Sequence, residues 1–298
     1  MRMIAVFEKS ERLRHIGHLD IQRFVQRGLR RSGLPVAYSN GFNPHILVTF
    51  ASALSTGACG KREIMDVTLA EPVNEELFLQ RMNRAMPPDM QLIEARAVDD
   101  RHPAMMASLK AASYDLVIRD RAQAEKLAEA LDRLMKKERI TAVRKTKSGL
   151  KEVDIKPLIY ALRMKENHLY CTLALTEKET CKPEMLLDAL GREAGLIEDP
   201  PEKEQAAETA CDAENAGEAE KTGKDEITAD TEKPEKAERN GKRGRRDEKR
   251  RTATDSFGNP TERTLTPPDR NGPIRMLVIR TALLGEDENG VFRPLETL

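Results

Sequence analysis

The 298-residue chain contains no tryptophan, and aromatic residues make up only 4% of it, while 34% of residues are charged. Such a composition excludes one dense core of large rings and suits a soluble protein with a long solvated portion. Net charge is also absent, with 50 basic against 50 acidic side chains, so overall charge singles out no partner. No apolar run approaches the ~18 residues of a membrane-spanning helix. The opening "MRMIAVFEKSERLRH" lacks the apolar stretch and cleavage site of a secretory signal. The four cysteines, Cys59, Cys171, Cys181 and Cys211, form no C-x-x-C pair. Scattered thiols argue against a disulfide framework or a zinc site. The expectation is a cytoplasmic protein that no membrane holds.

What the chain does have is an uneven distribution of charge. Residues 198–230 hold twelve acidic against three basic side chains, and "KRGRRDEKRR" (242–251) then reverses the sign. A segment with so few large apolar groups cannot offset its ordering entropy, so residues 198–272 are expected to be a disordered insert. After it, "IRMLVIRTALL" (274–284) reads as a strand that must return to a sheet formed earlier.

Before the insert one pattern occurs twice. "MIAVFEK" is a strand, "GHLDIQRFVQRGLRRSG" a helix ended by Gly33, and "PVAYSNGFNPHILVTFA" an extended stretch with an Asn-Gly turn. "REIMDVTLAEP" (strand), "VNEELFLQRMNRAMPP" (helix) and "MQLIEARAV" (strand) follow. In the second half "YDLVIRD" is a strand and "RAQAEKLAEALDRLMKKE" a helix. "ITAVRKT" and "LYCTLAL" are its middle strands, with "VDIKPLIYALRM" between them, and "KPEMLLDALGRE" is a helix. The expected fold is α+β: two tandem ferredoxin-like (βαββαβ) modules. The first spans 1–100, and the second 110–197 plus 273–285.

"RHIGHLDIQR" contains His-Ile-Gly-His, the tetrapeptide by which some synthetases cradle ATP. That chemistry needs a doubly wound parallel sheet, and the second and third strands here follow each other with no helix between. A metal pair from His15 and His18 has no nearby third ligand; Asp20 and His45 could complete it only through tertiary folding. A third reading is structural, with His18 and Asp20 shaping the helix start.

On that helix Ile21, Phe24, Val25, Gly28 and Leu29 fall on one side, and Arg23, Arg27, Arg30 and Arg31 on the other. Residues 9–31 hold seven basic residues against Glu11 and Asp20. The choice lies between a solvated face and a surface for phosphate or RNA, since the forked guanidinium suits phosphate. Next, the turns Asn40-Gly41 and Asn43-Pro44 gather Tyr38, Ser39, Phe42, Asn43 and His45 into a polar and aromatic cluster. That cluster is either a turn lock or a place to stack a base.

His18-Leu19-Asp20, Arg30-Arg31 before Gly-Leu-Pro, and Ser39-x-Gly41-Phe42-Asn43-Pro44-His45 resemble the signature of the radical-SAM-linked protein family. This is a bacterial domain of unknown function found beside, or fused behind, a radical S-adenosylmethionine protein. The resemblance continues through "AASYDLVI" and "VDIKPLIYAL" (Asp154, Lys156, Pro157) to "VIRTAL". Gly17 stands where the family usually has Ser, so the synthetase-like tetrapeptide is a by-product of that substitution and of His15.

The resemblance implies a radical SAM protein as partner and an RNA or ribosome-related substrate. S-adenosylmethionine and an iron–sulfur cluster enter only through that partner, because this chain has no C-x-x-x-C-x-x-C motif and no cofactor or metal of its own is expected. Two functions follow. One is a non-catalytic accessory module holding RNA on Arg23, Arg27, Arg30 and Arg31. The other is an RNA-modifying or RNA-processing enzyme using His18, Asp20 and His45 as acid/base groups. The second requires those three side chains around one cleft.

Overall fold

The computed structural model describes residues 1–146, 149–198 and 274–297, the side chains of 145–150 excepted. Nearly all of the expected insert therefore lies outside the described residues. The rest is a mixed α+β structure in which five α-helices pack on a large, mostly antiparallel sheet. These residues belong to one compact unit.

The first half runs β1 (Arg2–Lys9), α1 (His18–Ser32), β2 (Val48–Phe50), β3 (Ala58–Thr68), α2 (Glu75–Ala85) and β4 (Leu92–Val98). β1 lies between β3 and β4, and β2 pairs with β3, all antiparallel. After a one-turn helix, α3 (Met105–Ser108), come β5 (Ala111–Ile118) and α4 (Arg121–Lys136). β6 (Thr141–Thr146), β7 (Gly149–Asp154), β8 (Ile159–Lys165), β9 (His168–Ala174) and α5 (Pro183–Glu193) follow. β10 (Met276–Glu286) and β11 (Phe292–Pro294) close the chain. The second half has the order β10-β5-β9-β8. A parallel pairing of β3 with β10, Ala58 opposite Val278, fuses the halves into one sheet.

The returning strand is where the sequence places it. Of the two middle strands of the second half, "LYCTLAL" is β9 of the sheet, but "ITAVRKT" is not its neighbour. "ITAVRKT" pairs only with β7, in a separate two-stranded sheet, and "IYALRMK" is the true neighbour of β9. Both segments have strand character, and which one joins the sheet is a long-range choice that local propensity does not encode.

Alternation along β1 sorts two cores. Met3, Ala5 and Phe7 join Ile21, Val25 and Leu29 of α1 and Phe78 and Met82 of α2. Ile4 and Val6, pointing the other way, join the cluster that holds Leu127 of α4 and Leu186 and Leu190 of α5. The two helix pairs thus lie on opposite faces of the sheet. α1 comes close to the end of α2 because Gly28 has no side chain; a Cβ there would sit 2.6 Å from the Met86 sulfur. Gly33 ends α1 at φ +67°, a conformation that glycine adopts without strain. No described helix is long and apolar enough to cross a membrane.

Candidate functional site

α1 begins at Gly17, which offers no side-chain cap, so its first turn depends on what surrounds it. Beneath it lies a buried charge cluster. The Arg280 and Glu63 side chains, 2% and 5% exposed, form a forked ion pair in which Arg280 Nε donates to Glu63 at 2.8 Å. Arg280 also donates to the Ser52 hydroxyl at 3.2 Å and to the Ala53 carbonyl at 3.3 Å. It therefore ties β10 to β3 and to the loop after β2, where the two halves of the sheet meet. Burial disfavours the guanidinium cation, but Glu63 and Tyr114 outweigh it and hold the group above its ordinary range.

Lys9, also buried, donates to the carbonyls of Ile16 at 3.0 Å and Arg14 at 3.4 Å, pinning the loop that leads into α1. Burial pulls its ammonium below the ordinary lysine range, Arg280 adding to the effect and Glu63 opposing it. The His18 ring packs edge-on against Phe50 with centroids 5.2 Å apart. Burial first, then the charges of Arg280 and Lys9, push the imidazole below its usual value, with Glu63 opposing. The His18 ring thus rests on Phe50 beside the charge cluster, an environment that favours its neutral form. A cation in the middle of the apolar run "MLVIRTALL" was the sequence signal for this cluster, because such a charge is buried only when paired.

The expected trio does not converge through hydrogen bonds. His18 rests on Phe50, Asp20 accepts from Arg23 at 3.0 Å, and His45 Nδ1 meets the Ser39 hydroxyl at 2.8 Å. The His45 N–H donates to that same hydroxyl oxygen at 3.1 Å, and Ser39 N–H donates to the His45 carbonyl at 2.8 Å. These bonds close the loop, so Ser39 and His45 act as a turn lock. The lock holds Tyr38, Phe42 and Asn43 in solvent, and Phe42 is fully exposed. Asp154 and Lys156 also have structural roles. Asp154 accepts from the N–H groups of Ile140 and Lys156 at 3.1 and 3.0 Å, closing the β6–β7 hairpin.

The arginine face stands as the helical spacing requires. Ile21, Val25, Gly28 and Leu29 are buried, while Arg23, Arg27, Arg30 and Arg31 are exposed. Arg31 donates to the Ala85 carbonyl at 2.8 Å, satisfying the end of α2, and Arg81 of α2 donates to the Gly33 carbonyl at 3.0 Å. Arg23 has only the exposed Asp20, an interaction worth about 0.3–0.5 kcal/mol. Among the described residues Arg27 and Arg30 have no carboxylate partner, nor does the exposed Arg84 of α2, which the sequence reading passed over.

Cys59, Cys171 and Cys181 are buried, and burial pushes the last two up to about 12. Among the described residues no group of three or more His, Cys, Asp or Glu could hold a metal ion. None of the curated proteins matches the chain. A family model, described as an uncharacterized protein conserved in bacteria (DUF2344), matches residues 2–184, which span β1 to the start of α5 and include the loop lock and the arginine face. By that match the chain is a member of the DUF2344 family.

Proposed function

We propose that this chain is a non-catalytic, cytoplasmic accessory protein that binds RNA, or an RNA-bearing substrate, for a radical SAM enzyme. One observation carries the reading: Arg27 and Arg30 project from α1 into solvent with no carboxylate to neutralise them. Like charges one helical turn apart repel, and a polyanion relieves that repulsion. Arg23 and Arg84 extend the basic surface, and the exposed Phe42 supplies a ring on the locked loop. The strand orders β4-β1-β3-β2 and β10-β5-β9-β8 support the finer fold reading, two ferredoxin-like units with the β6–β7 hairpin as an insertion in the second. That architecture recurs among RNA binders, which is analogy and no more.

The radical SAM partnership rests on the shared motif around His18–His45. In this reading S-adenosylmethionine and its cluster stay with the partner. The separate contacts of His18, Asp20 and His45 favour the accessory role over the enzymatic alternative.

Filter retention of RNA by the full chain tests the proposal. Affinity should fall steeply with salt, and Arg27→Gln with Arg30→Gln should reduce the slope of log K against log salt by about 1.4–1.8. Retention that is indifferent to both changes overturns it. Capture of the tagged chain from its host should bring down a radical SAM enzyme; its repeated absence removes that half of the proposal.

A further inference from the structure

The second half of the sheet has one face that no described element covers. β5, β9 and β10 send Leu116, Leu169, Leu173 and Val278 into the core shared with α4 and α5. The intervening side chains point the other way and are only partly buried. On this outward face Arg163 of β8 lies opposite Tyr170 of β9, its guanidinium carbon 4.8 Å from the ring centroid. The His168 ring is stacked with Tyr170, centroids 5.8 Å apart and planes 14° apart. Asp115 accepts from His168 Nδ1 at 2.9 Å, and the Ser113 and Thr172 hydroxyls meet at 3.0 Å. A depression of about 310 Å³ opens beside them, lined by Ser113, Ala161, Leu162, Arg163, Tyr170 and Thr172.

A cross-strand Arg–Tyr pair alone is an ordinary way to stabilise a sheet surface. Here it belongs to a larger arrangement. Three flat groups are already in contact, and hydroxyls line the hollow beside them. Asp115 is hydrogen-bonded to His168, and the exposed Arg163 and Lys165 on this face have no carboxylate partner among the described residues. Flat π-surfaces with cations alongside match a ligand that has both aromatic faces and a backbone of anions.

We propose that this face is a platform for single-stranded RNA. An unpaired base stacks on the Arg163–Tyr170–His168 group, adjacent phosphates meet Arg163 and Lys165, and the hydroxyls of Ser113 and Thr172 are within the hollow that a ribose would enter. The proposal rests on the RNA reading above but uses a different surface. The arginine face of α1 meets phosphates of any RNA, whereas only an unpaired strand can lay its bases on a sheet.

Because the chain lacks tryptophan, emission from its four tyrosines can be read directly. The full chain is titrated at low salt with a single-stranded oligoribonucleotide and with a duplex of equal length. The single strand should quench tyrosine emission. Tyr170→Leu should weaken it about tenfold, with Tyr170→Phe retaining affinity. Arg163→Gln should weaken the single strand more than the duplex, and Arg27→Gln with Arg30→Gln should weaken both. If Tyr170→Leu and Arg163→Gln bind the single strand like the parent while the helix variant loses both ligands, the platform is wrong and the RNA reading stands. If the parent binds neither ligand, both fall. Concentration-dependent self-association that Tyr170→Leu abolishes would also overturn the platform, by making the face a contact between copies.

Discussion

β1 and β5 are the central first strands of the two halves, and they are buried differently. Met3 to Phe7 form an unbroken buried run, because α1 and α2 cover one face while Leu109, Leu295 and the second core close the other. In β5 buried and partly buried residues alternate from Ala112 to Ile118, because α4 and α5 cover one face only. The sequences show a similar contrast: "MIAVF" is continuously apolar, and in "ASYDLVI" the polar Ser113 and Asp115 interrupt the apolar residues. A strand closed on both sides leaves its ligand-facing chemistry to the helices outside it. A strand closed on one side can present chemistry directly. Hence the RNA contacts proposed above fall on α1 in the first half and on the sheet in the second.

The largest expected effect is at the seam that makes the halves one sheet. Glu63→Ala leaves the Arg280 cation buried and unpaired and should cost about 3–5 kcal/mol in urea unfolding. Replacing the pair together, Arg280→Met with Glu63→Leu, should restore most of that loss. If the single change costs under 1 kcal/mol, the seam does not hold the halves together.

Next comes the coupling itself. Leu29 on α1 and Leu127 on α4 are both fully buried, and each change to Ala should cost about 2–5 kcal/mol. Both should move one common transition. Two separable transitions, each sensitive to only one variant, would show that the halves unfold independently.

The loop lock of the first half is a smaller matter. Ser39→Ala removes both side-chain bonds to His45 and should cost about 0.5–1.5 kcal/mol, read from thermal unfolding. Hydrogen exchange at the Ser39 and His45 amides should accelerate, and no change there would mean that the turn holds without the hydroxyl.

His18 gives the first half a pH signature. Its folded imidazole is held below the usual value, so the unfolded chain binds more protons as the pH falls through about 6.5. The His18 contribution is complete above that value and declines below it. His18→Phe should flatten the decline of the stability profile below about pH 6.5. An unchanged slope would mean that another group sets it. Smallest of all, Arg27→Gln and Arg30→Gln should alter stability by less than about 0.5 kcal/mol each, since neither side chain has a partner to lose.

Periodic features were readable from the residues. The buried stripe of α1, its arginine face and its stop at Gly33 follow from side-chain order along one helix. The return of "IRMLVIRTALL" to the sheet follows from the instability of a lone strand. Features that depend on partners distant in the chain were not readable. Arg280 and Glu63 are 217 positions apart. Arg163, Tyr170 and His168 lie close in sequence, but nothing local marks "IYALRMK" rather than "ITAVRKT" as β9's neighbour, so their shared face is not legible there. Whether His18, Asp20 and His45 share a cleft was likewise a tertiary question, and each has a separate contact, with Phe50, Arg23 and Ser39 respectively.

By itself, then, the amino-acid order determined the helices, their buried and charged faces, and an α+β pattern, because those are set by periodicity within a dozen residues. Only the tertiary structure decided which strands pair, where two halves fuse, which charges are neutralised and which sheet face is left uncovered. Those outcomes depend on groups meeting across long loops, and local propensity contains no term for that.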